Sequence, residues 1–412
     1  MSILRFNEFT NQTWKYINLE NNAYIKGRIG WKNLKQSEYT DEGPFLIAGK
    51  HIHFGLINWN KCDHITIERY EESIEIALKK GDIIFSKDGS LGNPALINKL
   101  PGKATINGTM MLVRVNNNIS PIFFYQILNS DYFLRLIHKL KSGSSIPHIF
   151  QRDMKNFKFP ITTLEEQKKI AMFLSLIDKK IMLLEKKLSL YQSLEKYFSN
   201  VLFSEKTRFP NNQNNNFSDW ENYTLNNLGK TYTGLSGKSK EDFGKGKMYI
   251  TYKSIFDNTT INTDKLDLVN ISKDEKQNKV KFGDLFFTTS SETPEEVGMA
   301  SVLLKNLDEC YLNSFCFGYR LNSTKIINPL FMSYYLRSYI IRKKIMVLAQ
   351  GSTRFNLSKN ELMKLNIKIP CFEEQEKIAD FLLNFNSKIN NIQNEIQIIA
   401  QYKKGLLQQM FI

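Results

Sequence analysis

The 412-residue chain has only four cysteines, and Cys62, Cys310, Cys316 and Cys371 form neither a Cys-x-x-Cys pair nor a ladder of short spacings. That excludes a disulfide framework and fits idle or buried thiols in a reducing cytosol. No stretch approaches 18 uninterrupted apolar residues, so no membrane-spanning helix is expected. The opening MSILRFNEFTNQTW lacks a charged-then-apolar leader, and a cytoplasmic protein is the expectation. Acidic residues are short relative to basic ones: 41 Asp+Glu face 56 Lys+Arg, a formal net charge of +15. An excess of that size favours a polyanionic partner. With 42% hydrophobic and 12% aromatic residues the chain can bury sizeable cores, and its length suits two or three domains.

What is present is a duplication. EEQKKIAMFL at 165–174 returns as EEQEKIADFL at 373–382, eight identities in ten at an offset of 208. The same offset pairs Pro121, Leu128 and Ser130 with Pro329, Leu336 and Ser338, and Gly143-Ser144 with Gly351-Ser352. Slightly drifted offsets pair Gly81-Asp82 with Gly283-Asp284, and Trp14 with Trp220, as loop insertions would produce. Residues 20–80 and 226–280 share almost nothing recognisable. A common framework with unlike inserts presents two different surfaces.

Each half ends in a heptad stripe. Its seam runs Ile170, Leu174, Ile177, Ile181, Leu184, Leu188, Tyr191, Glu195, Phe198 and Leu202 in the first half. In the second it runs Ile378, Leu382, Phe385, Ile389, Ile392, Ile396, Ile399, Lys403, Leu406 and Met410. Steps of 4 and 3 over four heptads predict a coiled-coil seam, and ~38 residues at 1.5 Å rise make a spacer of roughly 57 Å. Glu195 and Lys403 are the only polar seam positions. They would face each other in a parallel pair; the antiparallel arrangement is favoured, with each charge at a solvent-accessible rod end and a pseudo-twofold axis relating the halves. Residues 165–203 carry +2 and 373–412 carry −1, so the remaining +14 sits on the globular parts and their linker. The polar segment at about 205–218, which runs into PNNQNNNFSDW from Pro210, reads as a flexible join. IEIALKKGDIIFS and NKVKFGDLFFTTS read as strand–turn–strand. The segments starting at Pro121 and Pro329 read as amphipathic helices ending at Gly143 and Gly351.

The Gly-Asp strands at 81–85 and 283–287, the Gly-Ser turns and the duplicated EEQxKIAxFL starts, in this order, resemble the type I restriction–modification specificity subunit over essentially the whole chain. The resemblance implies an α+β chain: a recognition domain at 1–160, a helix at 161–205, a linker at 206–218, a second recognition domain at 219–370 and a helix at 371–412. It implies a non-catalytic subunit that reads double-stranded DNA as a bipartite, asymmetric site, one short block per domain. The helices, paired antiparallel, would bind two methyltransferase subunits, to which restriction–translocase subunits add. S-adenosylmethionine, ATP and Mg²⁺ would be used by those partners, none by this chain. By that resemblance the DNA-facing turns hold Lys87, Asp88, Ser90, Ser290, Ser291 and Glu292, then Ser144, Ser145, Ser352, Thr353 and Arg354. The variable inserts add Lys50, His51, His53, Lys238, Lys240 and Lys253. Partner contacts are assigned to Glu165, Glu166 and Gln167 and to Glu373, Glu374 and Gln375, with the outer helix faces.

Chemistry-bearing motifs fail on inspection. Asn93-Pro94 and Asn328-Pro329 lack the second proline of an amino-methyltransferase loop, and Pro370-Cys371 reads as a helix entry rather than a cysteine nucleophile. Gly237-Lys238-Ser239 lacks the first glycine of a phosphate loop, which would fall at Tyr232. Asp178 with Glu185-Lys186-Lys187 imitates a nuclease set but flanks the seam. His51, His53, Cys62 and His64 match no zinc spacing. The rival readings are a self-contained nuclease or methyltransferase, which would act on DNA unaided, and a coiled-coil adaptor, which the +14 on the globular parts opposes.

Overall fold

The computed structural model describes residues 4–28, 34–142 and 147–411. The chain is α+β and divides into two compact units, residues 1–187 with 392–412, and residues 188–391. Each unit therefore contains part of both long helices, Leu164–Phe203 and Phe372–Met410.

In the first unit an antiparallel sheet runs Ala23–Gly27, Met110–Val115, Ile83–Ser86, Gly92–Leu96. A second sheet places Tyr39–Ile47 between Asp63–Ile65 and, parallel, Ala104–Ile106. Lys15–Ile17 pairs with Phe159–Ile161. The second unit repeats this plan. Gly229–Thr233, Cys316–Leu321, Leu285–Thr288 and Ala300–Val302 form the antiparallel sheet. Phe243–Ile250 lies between Asp267–Val269 and, parallel, Cys310–Leu312. Glu221–Thr224 pairs with Asn366–Ile369. The inserts that share no legible sequence thus share a topology, because strand pairing asks only for alternation and backbone bonds, not for particular side chains. A short hairpin, Ile52–His53 with Leu56–Ile57, has no partner sheet of its kind in the second unit among the described residues.

The repeated Gly-Asp turn has a structural cause. Gly81 and Gly283 hold φ of +92° and +82°, where a side chain is strained. The following Asp82 and Asp284 are buried, each accepting from a backbone N–H three residues back, Lys79 or Lys281. Arg114 grips Asp82 at 2.6 and 2.8 Å, and Arg320 grips Asp284 at 2.8 and 2.7 Å. Only the second half of each expected strand–turn–strand piece is a strand; Ile74–Ile76 is a 3-10 turn, and residues 278–282 are not in a strand. The expected amphipathic helices are each two helices, Pro121–Leu128 with Asp131–Ser142 and Pro329–Arg337 with Tyr339–Val347. Ser338 caps the second member by accepting from Ile341 N–H, so a serine interrupts what periodicity alone reads as continuous. The end expected at Gly143 lies outside the described residues.

The long helices pair antiparallel in each unit. In the first, Asp178 meets Lys403 and Lys180 meets Glu395. In the second, Tyr191 packs against Phe385, and Phe198 packs on Phe381 and Phe385. Numbers rise on one helix as they fall on the other. Their ends enter the cores: Ile170, Ala171, Leu174, Leu406, Leu407 and Met410 in the first unit, Leu202, Phe203, Ile378, Ala379 and Leu382 in the second. Full burial of each large apolar side chain contributes roughly 1.5–3 kcal/mol, so the domains and helix ends fold as one body within each unit.

Two expectations are corrected. Glu195 and Lys403 do not sit at solvent-accessible rod ends: Lys403 is 12% exposed against Asp178 at 2.6 Å, and burial raises the Glu195 carboxyl pKa. The segment at 205–218 is not a loose join either. Arg208 is fixed on Glu374, Pro210 bridges Asn216, and Lys377 donates to the Pro210 carbonyl at 2.9 Å.

Candidate nucleic-acid interface

Equivalent edges of the two units carry the candidate reading residues. In the first unit the strand Ile83–Ser86 leads into Lys87 and Asp88, and Ile149 N–H donates to the Lys87 carbonyl at 2.9 Å. In the second, Leu285–Thr288 leads into Thr289 and Ser290, and Leu357 N–H donates to the Thr289 carbonyl at 2.8 Å. Asp88 bridges His148 as Ser290 pairs with Asn356. One backbone frame therefore presents different chemistry.

In the first unit that chemistry is an ionic cluster. Asp88 contacts the His148 imidazole and lies 3.5 Å from Lys87 Nζ, while the His148 ring packs tilted against the exposed Phe150 at 4.3 Å. Ser90 is exposed; Ser144 and Ser145 lie outside the described residues. In the second unit the edge opens into a cavity of about 440 Å³ lined by Tyr252, Phe256, Ser290, Ser291, Glu292, Glu296, Phe315 and Arg354. Tyr252 and Phe256 stack, and the Tyr252 hydroxyl donates to the Ser290 carbonyl at 2.7 Å. Burial raises the Tyr252 pKa. Ser291 is buried and spends its hydroxyl on Glu296 at 2.7 Å. Glu292, Ser352, Thr353 and Arg354 are exposed.

Several candidates are elsewhere engaged. His51 is buried and its Nδ1 accepts from Ala48 N–H at 3.1 Å, with burial lowering its pKa; its side chain holds the turn at 49–51. Lys238 is 6% exposed, donating to Glu275 at 2.5 Å and the Asn270 carbonyl at 2.6 Å, so it ties a loop rather than a phosphate. Lys50 is exposed beside Asp63 at 2.9 Å, and Lys253 beside Asp257 at 3.0 Å. His53 and Lys240 are exposed.

The EEQ starts are corrected most. Glu166 and Glu374 are fully buried, and Gln167 and Gln375 nearly so, which takes them from any partner. Glu166 takes Arg5 at 2.7 and 2.7 Å, and Glu374 takes Arg208 at 2.9 and 2.7 Å and Trp220 Nε1 at 3.2 Å. Gln167 accepts from Ser120 N–H and donates to the Asn118 and Thr162 carbonyls; Gln375 does the same with Asn328, Ile326 and Pro370. These side chains lock each helix start to its domain. Glu165 and Glu373 remain exposed. The repeated Arg5-Phe6 and Arg208-Phe209 dipeptides were the unused signal, since Phe6 packs on Phe173 and Phe209 on Phe381.

Among the described residues no group of three His, Cys, Asp or Glu could hold a metal ion, and no helix is long and apolar enough to cross a membrane. Burial pushes the Cys62 thiol up to about 11 and the Cys310 thiol to about 12, away from nucleophile chemistry.

Residues 11–190 and 217–401 match the family described as the type I restriction modification DNA specificity domain. The chain is 25% identical over 365 residues to the type I restriction enzyme MjaVIII specificity subunit of Methanocaldococcus jannaschii, covering 81% of this chain and 79% of that one. It is 26% identical over 369 residues to the putative MjaX specificity subunit of the same organism, covering 85% and 82%. Its fold is similar to a crystal structure of a type I restriction–modification S subunit from M. genitalium, with a TM-score of 0.61, 17% identity, and coverage of 100% of this chain and 99% of that one. With both halves matched by the family model and a similar fold over the whole chain, the chain belongs to the family of type I restriction–modification DNA specificity subunits.

Proposed function

We propose that the chain reads a bipartite, asymmetric DNA site, one block per unit, and positions methyltransferase and restriction subunits there without catalysis of its own. The observation that carries the reading is the pair of equivalent edges with unlike side chains, the Lys87–Asp88–His148 cluster against the Ser290–Glu292–Arg354 cavity. Two frames of one ancestry with different reading groups predict two different blocks. Phosphate contacts would come from exposed cations such as Lys50, Lys240 and Lys253, and would make binding fall steeply with salt.

The helices support the partner reading. Met172, Leu176, Leu183, Leu190 and Tyr197 are each more than half exposed and recur at steps of four and seven on the first long helix, with Ile398 and Tyr402 on the second. An apolar stripe outside the seam suits a protein partner. Two methyltransferase subunits would cover it beside Glu165 and Glu373, and would bring S-adenosylmethionine; restriction–translocase subunits would bring ATP and Mg²⁺ chemistry. A cytoplasmic complex on DNA follows from that reading.

Genome-wide methylation mapping with and without the gene tests it. A two-block motif that vanishes with the gene is expected, and replacing residues 1–160 by those of a relative should change one block only. Modified sites that do not depend on the gene, or modification by the purified chain alone, would overturn it.

A further inference from the structure

The cavity of the second unit contains an arginine and a glutamate that line the same space yet leave each other alone. Among the described residues, neither the Arg354 guanidinium nor the Glu292 carboxylate has a hydrogen-bond or ion-pair partner. Their neighbours are occupied: Glu296 takes Ser291, and Lys253 takes Asp257. Opposite charges that share a cavity and stay apart are available for a ligand that offers an acceptor pair to one and a donor to the other.

The walls narrow the ligand further. Phe315 is 64% exposed, but its backbone is pinned, because its carbonyl accepts from Thr289 N–H at 3.1 Å and Thr289 Oγ1 at 2.7 Å. Tyr252 and Phe256 lie nearly parallel, 6.0 Å apart and 16° from coplanar, on the helix Tyr252–Asp257. Rigid aromatic surfaces around an unpaired fork and an unpaired carboxylate would exclude water and sharpen hydrogen bonds to a planar polar edge. In the major groove a C·G pair offers that pattern: guanine O6 and N7 accept a bidentate arginine, and the cytosine N4 amino group donates to a carboxylate.

We propose that this cavity determines a C·G pair in the block read by the second unit, Arg354 forking onto guanine and Glu292 accepting from cytosine N4, with Phe315 as the wall beside them. The proposal rests on the DNA-reading function above. Among the described residues the first unit shows no such set at the equivalent edge, where Asp88 is taken by His148 and Lys87. A guanine requirement at that place therefore belongs to one block only.

The test uses the full chain with its methyltransferase subunits in a host lacking other methylation, and reads the modified motif. Arg354→Ala should relax one guanine in the block that does not follow residues 1–160, raising modification at non-guanine sites relative to the cognate site on the order of 10- to 100-fold. Arg354→Lys keeps the charge but loses the fork, and should relax the same position. Glu292→Ala should relax the paired cytosine. The other block should stay intact in all three, which also shows that the complex assembles. An unchanged motif in Arg354→Ala and Glu292→Ala, whether occupancy is kept or falls uniformly, would overturn the proposal and make the cavity a phosphate contact or a bystander. A wild-type complex that modifies no motif would instead overturn the function on which the proposal rests.

Discussion

The two units solve one architectural problem with opposite charges at one position. Lys403 in the first unit and Glu195 in the second stand 208 residues apart, the offset of the duplication. Lys403 pairs with Asp178, which also accepts from Gln126 Nε2 at 2.8 Å. The matching partner in the second unit is Asn386, which donates to the Tyr334 hydroxyl at 2.7 Å, and Glu195 lies in the field of Arg337 instead. Arg337 is itself pushed down to about 10 by burial and by Arg342, while four backbone carbonyls, Ile255, Phe256, Asn258 and Ala300, accept from it. Exchanging the two seam residues would set carboxylate against carboxylate in one unit and cation against cation in the other. The difference predicts that a polar seam position, costly as burial, helps to specify which helix end docks in which unit.

The largest effect that would break this comparison is expected at the shared lock rather than the differing seam. Glu374→Ala strands Arg208 beside a buried site and should cost about 3–5 kcal/mol in the second unit, with Glu166→Ala doing the same to the first. Hydrogen exchange resolved by segment checks this, and equal loss of protection in both units from either change would contradict it. Next, Lys403→Glu should destabilise the first unit by about 1–3 kcal/mol, and adding Asp178→Lys should recover most of it. Chemical denaturation of the four-member cycle measures the coupling; additive losses would remove the ion pair from the explanation.

Glu195 sharpens the comparison through pH. Its pKa is raised in the folded protein, first by burial and against the pull of Arg337. A carboxyl with a raised folded pKa contributes stability below its unfolded pKa and loses it as pH rises through the folded value. Glu195→Gln should therefore leave the melting temperature unchanged near pH 4 and raise it near pH 8, by less than about 1 kcal/mol of stability. A gain that is the same at both pH values would contradict the sign. The smallest effect belongs to Glu165→Ala and Glu373→Ala, exposed neighbours of the lock, expected within about 0.5 kcal/mol by thermal melting of the isolated chain.

The repeat, the two heptad helices and the Gly-Asp turns were legible because each depends on local rules: spacing along a helix, or a glycine required by positive φ. The reading edge was legible only as a neighbourhood. Glu292 and Arg354 follow from their turns, but Tyr252 and Phe315 come from distant segments, and nothing in NSFCFG marks its first aromatic as exposed and the next as core. His148 and Phe150 were missed likewise. The EEQ starts were misread because a charged tripeptide suggests surface, whereas Arg5 and Arg208, about 160 residues earlier in the chain, take its carboxylates inside.

By itself, then, the sequence determined the duplication, the helical rods with one polar residue in each seam, and the basic globular parts, since these are periodicities and counts carried by the chain in one dimension. Only tertiary structure decided which charges are buried and paired, which turn opens into a cavity, and which side chains are left without partners. Those outcomes depend on groups brought together from far along the chain, where desolvation and distance settle whether a charge locks the fold or faces outward.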